Sequence, residues 1–513
     1  MASLFHLPQD VWRENVLPLV SSLRGLVLLD SALNNKSCRA AFHNCVRGMK
    51  HEWMLESDKR ALKWFQKRHI LVHSIAFVMR ERRPEPSWVG SFLSTMRRIT
   101  GRDALHHSRI FQRTIKTHGN SLTFLYIEAN DIRDVSGLRY ATHLIDLRVH
   151  RCNHITSDSF VHGISGCTKL RICSIAYSNL LGEEAIAAVL FYCKELQELT
   201  VSEPANLDSV FAHITQPLHL RKFDWQHPFP IVTSQVLHTI ANQMPLLEHL
   251  AWNMSTPGTF TGPDFHQVII NCVHMKELKI SGPGFFTDQS LLHMGQSLTS
   301  LRYIDLTASA EVSDAGVVAL AQGCRLLEYL NLSFLSTLTD VAIQAVGTHC
   351  QLLATLAVCY CTQLTDRAFR TLNVERLRYV NVSGTPLDGT FTKYLLRGAS
   401  AVFYLGCESC PNLHINLLRM LPPFNRLSTL SLGHISFTAE DWWNLSLRLP
   451  DLRQLCIRAC TGVDVAVLRY FVLYCDVLRA MNIIDCNILP GEEAQFRMWW
   501  EASARTQVHL YVR

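Results

Sequence analysis

The sequence predicts an α/β solenoid: a horseshoe with a parallel sheet on its concave face, helices outside, and a small helical module at the N-terminal end. Three observations carry the prediction. The stretch Leu301–Leu377 spells one unit three times, each opening with a strand, at Leu301/Ile304/Leu306, Leu327/Leu330/Leu332 and Leu353/Leu356/Val358. Seven residues after each strand stands a hydroxyl–Asp pair, Ser313-Asp314, Thr339-Asp340 and Thr365-Asp366. Ser and Thr accept hydrogen bonds from the free N–H groups of a helix's first turn, so each pair marks a helix start. The strand opening also recurs at 122, 144, 170, 196, 220, 247, 275, 301, 327, 353, 377, 402, 427, 452 and 478, with Gln507–Val512 as a closing strand. One strand and one helix cannot bury their own apolar faces, whereas stacked units share a continuous core.

Length and composition agree. At 513 residues the chain exceeds a single-core domain. With 48% hydrophobic and 18% charged residues it is globular. The 17 cysteines do not cluster as in a short secreted domain, and several recur at repeat positions. That pattern favours reduced thiols and a cytoplasmic or nuclear location. The opening MASLFHLPQDVWRE lacks the order of a signal peptide, and apolar runs such as Ala185–Tyr192 are too short to span a bilayer, so no membrane association is expected. Residues 1–121 hold 20 Lys and Arg against 9 Asp and Glu, the remainder 29 against 34. The basic end suits an acidic partner or is the solvated face of a small helical region. No aromatic platform interleaves it, which argues against a nucleic-acid partner.

Residues 1–48 read as three short helices. Pro8 suits a first helical turn, and Val11, Trp12, Val16, Leu17 and Val20 form an apolar face that Pro18 ends or bends. Ser21-Ser22 caps a second helix, and Cys38, Phe42, Cys45 and Val46 mark a third. So small a module docks against something else. The segment resembles an F-box, through the opening Leu7-Pro8-Gln9-Asp10-Val11, Leu17 to Leu19, Leu23 to Leu29, and Arg39 and Phe42. The resemblance implies docking on a Skp-type adaptor of a cullin complex, with Leu7, Pro8, Val11, Trp12, Val16 and Leu17 as the adaptor-binding residues. The alternative is a bundle that seals one end of the array. Residues 49–121 read as a helical junction with a degenerate repeat, including an amphipathic helix over 51–68, a short strand at Ile75-Ala76-Phe77, and helices over 88–98 and 104–118.

Residues 122–513 form the array of about fifteen repeats. Cysteine falls at the bend after the strand (Cys152, Cys361, Cys410, Cys460, Cys486) and again where the helix closes (Cys167, Cys193, Cys272, Cys324, Cys350, Cys475). This pattern resembles the cysteine-containing leucine-rich repeats of F-box/leucine-rich-repeat proteins. In the strand L1-x2-x3-L4-x5-L6-x7, residues 4 and 6 point inward and 3, 5 and 7 line the concave sheet. Position 3 carries Tyr303, Tyr329, Thr355, Tyr379 and Tyr404; position 5 carries Asp305, Asn331, Ala357, Asn381 and Gly406. The tyrosines and their polar row are the candidate partner-binding residues, since Tyr offers much contact area and a hydroxyl at little rotamer loss. Alternatively the pairs only stabilise the sheet. Secondary candidates are a basic spot at Arg148, His150 and Arg151, a mixed one at Lys222, Asp224 and Gln226, and the loops Thr256–Pro263 and Ser281–Gly284.

Catalytic chemistry is missing from the pattern. His150-x-Cys152-x-His154 and Cys407-x-x-Cys410 look metal-like, but Cys152 and Cys410 sit at the bend and Cys407 at an inward position. No metal, phosphate loop, serine elbow or cofactor motif is expected. The expected function is that of a non-catalytic subunit: substrate recognition in an SCF-type (cullin–RING) ubiquitin ligase, holding a Skp-type adaptor and an unidentified protein substrate. The alternative is an interaction scaffold with no ubiquitin role.

Overall fold

The computed structural model describes residues 52–56, 74–78, 98–102, 112, 115–116, 119–128, 132–202, 206–212, 214, 216–226, 233–253, 262–281, 286–397, 400–413, 421, 426–486, 488, 490–502 and 509–512. The chain divides into two compact units, Met1–Ile231 and Val232–Arg513. The F-box-like residues Leu7, Pro8, Val11, Trp12, Val16 and Leu17 lie outside the described residues.

In the first unit the strands are β1 (Glu52–Glu56), β2 (Ser74–Val78), β3 (Arg98–Arg102), β4 (Phe124–Glu128), β5 (Asp146–His150), β6 (Ile172–Ala176), β7 (Glu198–Val201) and β8 (Lys222–Trp225). Each pairs in parallel with the next. Helices α1 (Ser157–Ile164), α2 (Glu183–Tyr192) and α3 (Leu207–Phe211) lie between the later strands. The second unit continues with β9 (His249–Asn253), β10 (Glu277–Ser281), β11 (Tyr303–Asp305), β12 (Tyr329–Asn331), β13 (Thr355–Ala357) and β14 (Tyr379–Asn381). Then come β15 (Tyr404–Glu408), β16 (Thr429–Gly433), β17 (Gln454–Arg458), β18 (Ala480–Ile484) and β19 (His509–Val512). These also pair in parallel, each with the next. The helices of this unit are α4 (Ser234–Gln243), α5 (Gly262–Asn271), α6 (Asp288–Ser297), α7 (Asp314–Gly323), α8 (Asp340–His349), α9 (Thr392–Leu395), α10 (Ala439–Leu447), α11 (Val465–Tyr474) and α12 (Pro490–Ala502). Strand and helix alternate with one strand per repeat. The fold is an α/β leucine-rich-repeat solenoid.

The fifteen strands β4 to β18 each begin two residues after a predicted opening. Position 4 is sealed from solvent at Ile304, Leu330, Leu356, Val380 and Leu405, and position 6 at Leu306, Leu332, Val358, Val382 and Cys407. Each such side chain contributes about 1.5–3 kcal/mol relative to exposure.

The hydroxyl–Asp pairs do more than start helices. Ser313, Thr339 and Thr365 are N-caps, their hydroxyls accepting from the N–H groups of Ala315, Val341 and Arg367. The Asp beside each cap reaches into the next repeat. Asp288 accepts from the N–H (2.8 Å) and hydroxyl (2.6 Å) of Ser313. Asp314 does the same for Thr339 at 2.9 and 2.5 Å. Asp340 takes the N–H of Thr365 at 2.7 Å and its hydroxyl, and Asp366 takes the N–H of Phe391 at 2.7 Å. The result is a relay of acceptors across four repeat boundaries. The third unit of the triplet closes as a 3-10 turn (Asp366–Thr371) because only 24 residues, not 26, separate its opening from the next.

All fifteen described cysteines are free thiols. Those at the bend donate to a carbonyl of the preceding repeat: Cys361 to Leu332 O at 3.1 Å, Cys410 to Val382 O at 3.3 Å, Cys152 to Ile127 O at 3.6 Å. Those closing the helix do likewise, as with Cys324 to Leu298 O at 3.4 Å and Cys167 to Leu138 O at 3.4 Å. A small, weakly donating side chain suits a buried site that offers it only backbone carbonyls.

Most of the described strand exits carry a residue in the left-handed region, among them Arg151, Tyr177, Ala308, Phe334, Tyr360, Gly384, Ser409 and His434, with φ between 54° and 72°. That conformation costs a non-glycine residue about 1–2 kcal/mol. It lets the N–H stay in the ladder, as in Phe334 N to Cys359 O at 2.7 Å and Tyr360 N to Ser383 O at 2.8 Å.

The junction departs from expectation. The stretch from His51, read as a helix, opens with β1, and β3 begins where the second predicted helix was to end. In EWMLE the apolar Trp53 and Leu55 recur at two residues, a strand period that the wider spacing to Leu62 and Phe65 obscures. Among the described residues, no helix is long and apolar enough to cross a membrane.

Candidate partner-binding surface

In the second unit, positions 3, 5 and 7 occupy the open face of the sheet, and register keeps like positions side by side. Tyr303 pairs with Tyr329, Tyr329 with Thr355, Thr355 with Tyr379, and Tyr379 with Tyr404. The rings stack in two couples. Tyr303 and Tyr329 lie 3.8 Å apart between centroids at 9°, and Tyr379 and Tyr404 lie 4.0 Å apart at 7°. Adjacent strands are about 4.8 Å apart, so the rings close up on one another beyond what the backbone imposes. Thr355 leaves a one-strand break between the couples. Burial pushes the phenols of Tyr303, Tyr329 and Tyr404 up, so they stay neutral donors.

The polar row beside the tyrosines is engaged within the chain. Asp305 Oδ1 accepts from the N–H of Thr307 at 3.0 Å, Asn331 Oδ1 from Ser333 at 3.0 Å, and Asn381 Oδ1 from Ser383 at 3.1 Å. These are turns that close the strand by mimicking a backbone bend. Asn331 Nδ2 also donates to Asp305 Oδ2 at 3.3 Å. A Cβ at Gly406 would come within 2.7 Å of Asn381 Oδ1, so the absence of a side chain there protects the Asn381 turn.

Three neighbours extend the surface. Lys279 Nζ lies 4.6 Å from the centre of the Tyr303 ring and 2.8 Å from Glu277, which also bonds His249 Nδ1 at 2.8 Å. Phe334 and Tyr360, at left-handed strand exits, stack at 4.8 Å and 15° while remaining 53% and 44% exposed. A Cβ at Gly384 would meet the Tyr360 ring at 2.4 Å, so that ring lies flat on a glycine backbone. Sequence reading passed over Phe334 and Tyr360 because they fall in the bend. The signal was Gly384 at the same repeat position, which marks a backbone conformation that turns the side chain outward.

The first unit uses its open face differently. Arg148 bonds Asp146 at 3.1 and 3.0 Å and lies over the Phe124 ring, and Arg151 reaches Glu128 at 3.3 Å. His150 meets Ser174 Oγ at 2.9 Å, and burial, then the Arg148 charge, lowers its pKa. The basic spot read from these three residues is therefore neutralised where it stands. Gln226 likewise donates to Asp224 at 3.2 Å. The loop segments 256–261 and 282–284 lie outside the described residues.

Cys152, Cys407 and Cys410 are buried thiols, and burial raises the pKa of Cys407 and Cys410. Among the described residues no group of three or more His, Cys, Asp or Glu could hold a metal ion.

No protein-family model and no curated protein matches the chain. Solved structures do. A chain of the yeast Rad7–Elc1 complex is 16% identical over 75% of this chain and 98% of its own, with a TM-score of 0.45. A chain of the Drosophila Toll–Spatzle complex is 14% identical over 90% and 61%, TM-score 0.42. An internalin (inlF) of Listeria monocytogenes is 12% identical over 75% and 93%, TM-score 0.39. The assignment of fold rests on the repeat register itself.

Proposed function

We propose that the chain is a non-catalytic receptor that captures a protein partner on the open face of its second unit. The observation that carries this reading is the pair of tyrosine stacks, bordered by the exposed Phe334–Tyr360 couple. Flat, half-buried rings can lose water to a partner without breaking ion pairs. The F-box-like residues Leu7, Pro8, Val11, Trp12, Val16 and Leu17 support the finer form of the proposal: a substrate-recognition subunit of an SCF-type ubiquitin ligase, with a Skp-type adaptor and cullin as partners. Its mechanism is positioning, since tethering raises the substrate's effective concentration near the transferring enzyme.

Co-purification of the full chain with a Skp-type adaptor and cullin tests the ligase role. A clean pull-down that retains the array's partner but neither of these leaves a leucine-rich-repeat scaffold with no ubiquitin role. Deleting residues 1–48 separates the same readings: loss of the adaptor alone supports docking, whereas aggregation supports a capping bundle.

A further inference from the structure

The break in the tyrosine ladder leaves a one-strand gap between two stacked couples, where Thr355 stands in place of a ring. Its walls are the rings of Tyr329 and Tyr379, and its floor is β13, with Thr355 and Ala357. Two strand spacings, about 9.6 Å at the backbone, separate the walls. A planar group lying against a ring needs about 3.5–4.0 Å on that face, so the break has room for one such group, whereas each couple is already closed at 3.8 and 4.0 Å.

Charge selects the occupant. The fifteen outward positions 3, 5 and 7 of β11 to β15 hold two carboxylates, Asp305 and Glu408, and no Lys, Arg or His. One carboxylate stands on the strand beyond each wall. The faces of aromatic rings are negative and attract cations, most strongly when two faces share one. The chain already shows this at the edge of the same ladder, where Lys279 lies over Tyr303. A guanidinium is the planar side chain that carries a full charge and is weakly enough hydrated to stack.

We infer that the slot between Tyr329 and Tyr379 takes a single arginine side chain from an exposed segment of the partner protein, stacked between the two rings. This rests on the reading of the open face as a protein receptor and specifies what that face recognises.

The test uses the full chain and an acetylated, amidated Ser-Gly peptide bearing one central arginine, with lysine, citrulline and phenylalanine counterparts, followed by saturation-transfer NMR. The arginine peptide is expected to bind at least about tenfold better than the citrulline peptide, which keeps the shape and loses the charge. Thr355→Tyr would complete the ladder and fill the slot; it is expected to abolish arginine binding while leaving the thermal melt in place. If that variant misfolds, Tyr329→Leu with Tyr379→Leu, checked by the same melt, replaces it. Equal binding of citrulline, equal binding of lysine, stronger binding of phenylalanine, or no arginine signal would each overturn the proposal. So would arginine binding that survives Thr355→Tyr in a folded protein. The broader reading fails separately: it falls if a partner recovered with the full chain is retained when Tyr303, Tyr329, Tyr379 and Tyr404 are all replaced by serine.

Discussion

Along β5 the outward side chains satisfy one another: Asp146 holds Arg148, and His150 meets Ser174 on the next strand. Along β12 and β14 the same repeat positions hold rings that stack on a neighbour. A partner approaching β5 must strip water from charges already paired, with little to gain, because exposed ion pairs contribute only about 0–1 kcal/mol. A partner approaching the tyrosines covers apolar area and finds phenols able to hydrogen bond. Identical scaffolding thus carries two surfaces, one of paired charges and one of stacked rings. Side-chain choice at positions 3 and 5 makes the difference.

The comparison can be broken or sharpened by experiment, starting with alkaline pH. Burial raises the pKa of ten described thiols in the second unit, to about 12 at Cys272, Cys324, Cys350 and Cys361, against three in the first, Cys167, Cys173 and Cys193. Because the folded pKa is the higher one, the unfolded chain releases protons first, so stability is full below pH 9 and falls as pH rises from 9 towards 12. Each such thiol contributes up to about 1.4 kcal/mol per pH unit in that window. Hydrogen exchange at pH 8 and 10 should show the second unit opening first; equal opening would mean that the thiols do not set the limit.

Next in size are the inward leucines. Leu147→Ala and Leu330→Ala, both fully buried, are each expected to destabilise by about 2–5 kcal/mol on denaturant titration. Similar values would show that the two units share one kind of core despite their different faces. Replacing relay acceptors should discriminate between units: Asp314→Ala removes two acceptors and is expected to cost about 1–3 kcal/mol, whereas Glu183→Ala removes one bond, to Asn206 N at 2.8 Å, and should cost about half as much. Smallest in stability are the face variants. Arg148→Ala and Tyr379→Ala should each shift stability by no more than about 1 kcal/mol, yet only the tyrosine change should release a captured partner. Unfolding by Tyr379→Ala would instead make the ladder scaffold.

Much of the fold is legible because its letters are local. Leu301, Ile304 and Leu306 encode inward positions without reference to any other repeat, and the Ser313-Asp314 pair names its own helix. The reach of Asp314 to Thr339 is invisible until the two repeats are stacked in register. The junction misleads because Trp53 and Leu55 fit a strand while Leu62 and Phe65 complete a helical pattern. The tyrosines were visible from their phase; the engagement of Asp305, Asn331 and Asn381 in turns was not, since it depends on the bend each strand makes at its exit. Phe334 and Tyr360 escaped because a bend residue reads as loop until its backbone is known.

The relay of aspartates also has a direction. Every acceptor belongs to the earlier repeat and every donor to the later one, from Asp288 through Asp366. During synthesis, each new helix cap therefore meets an acceptor that has already been made, and growth extends a template in the order of translation. The array is asymmetric to trimming as well. Removing repeats from the C-terminal side leaves a carboxylate that water readily solvates, while removing them from the N-terminal side strips the next cap of the acceptor that fixes it.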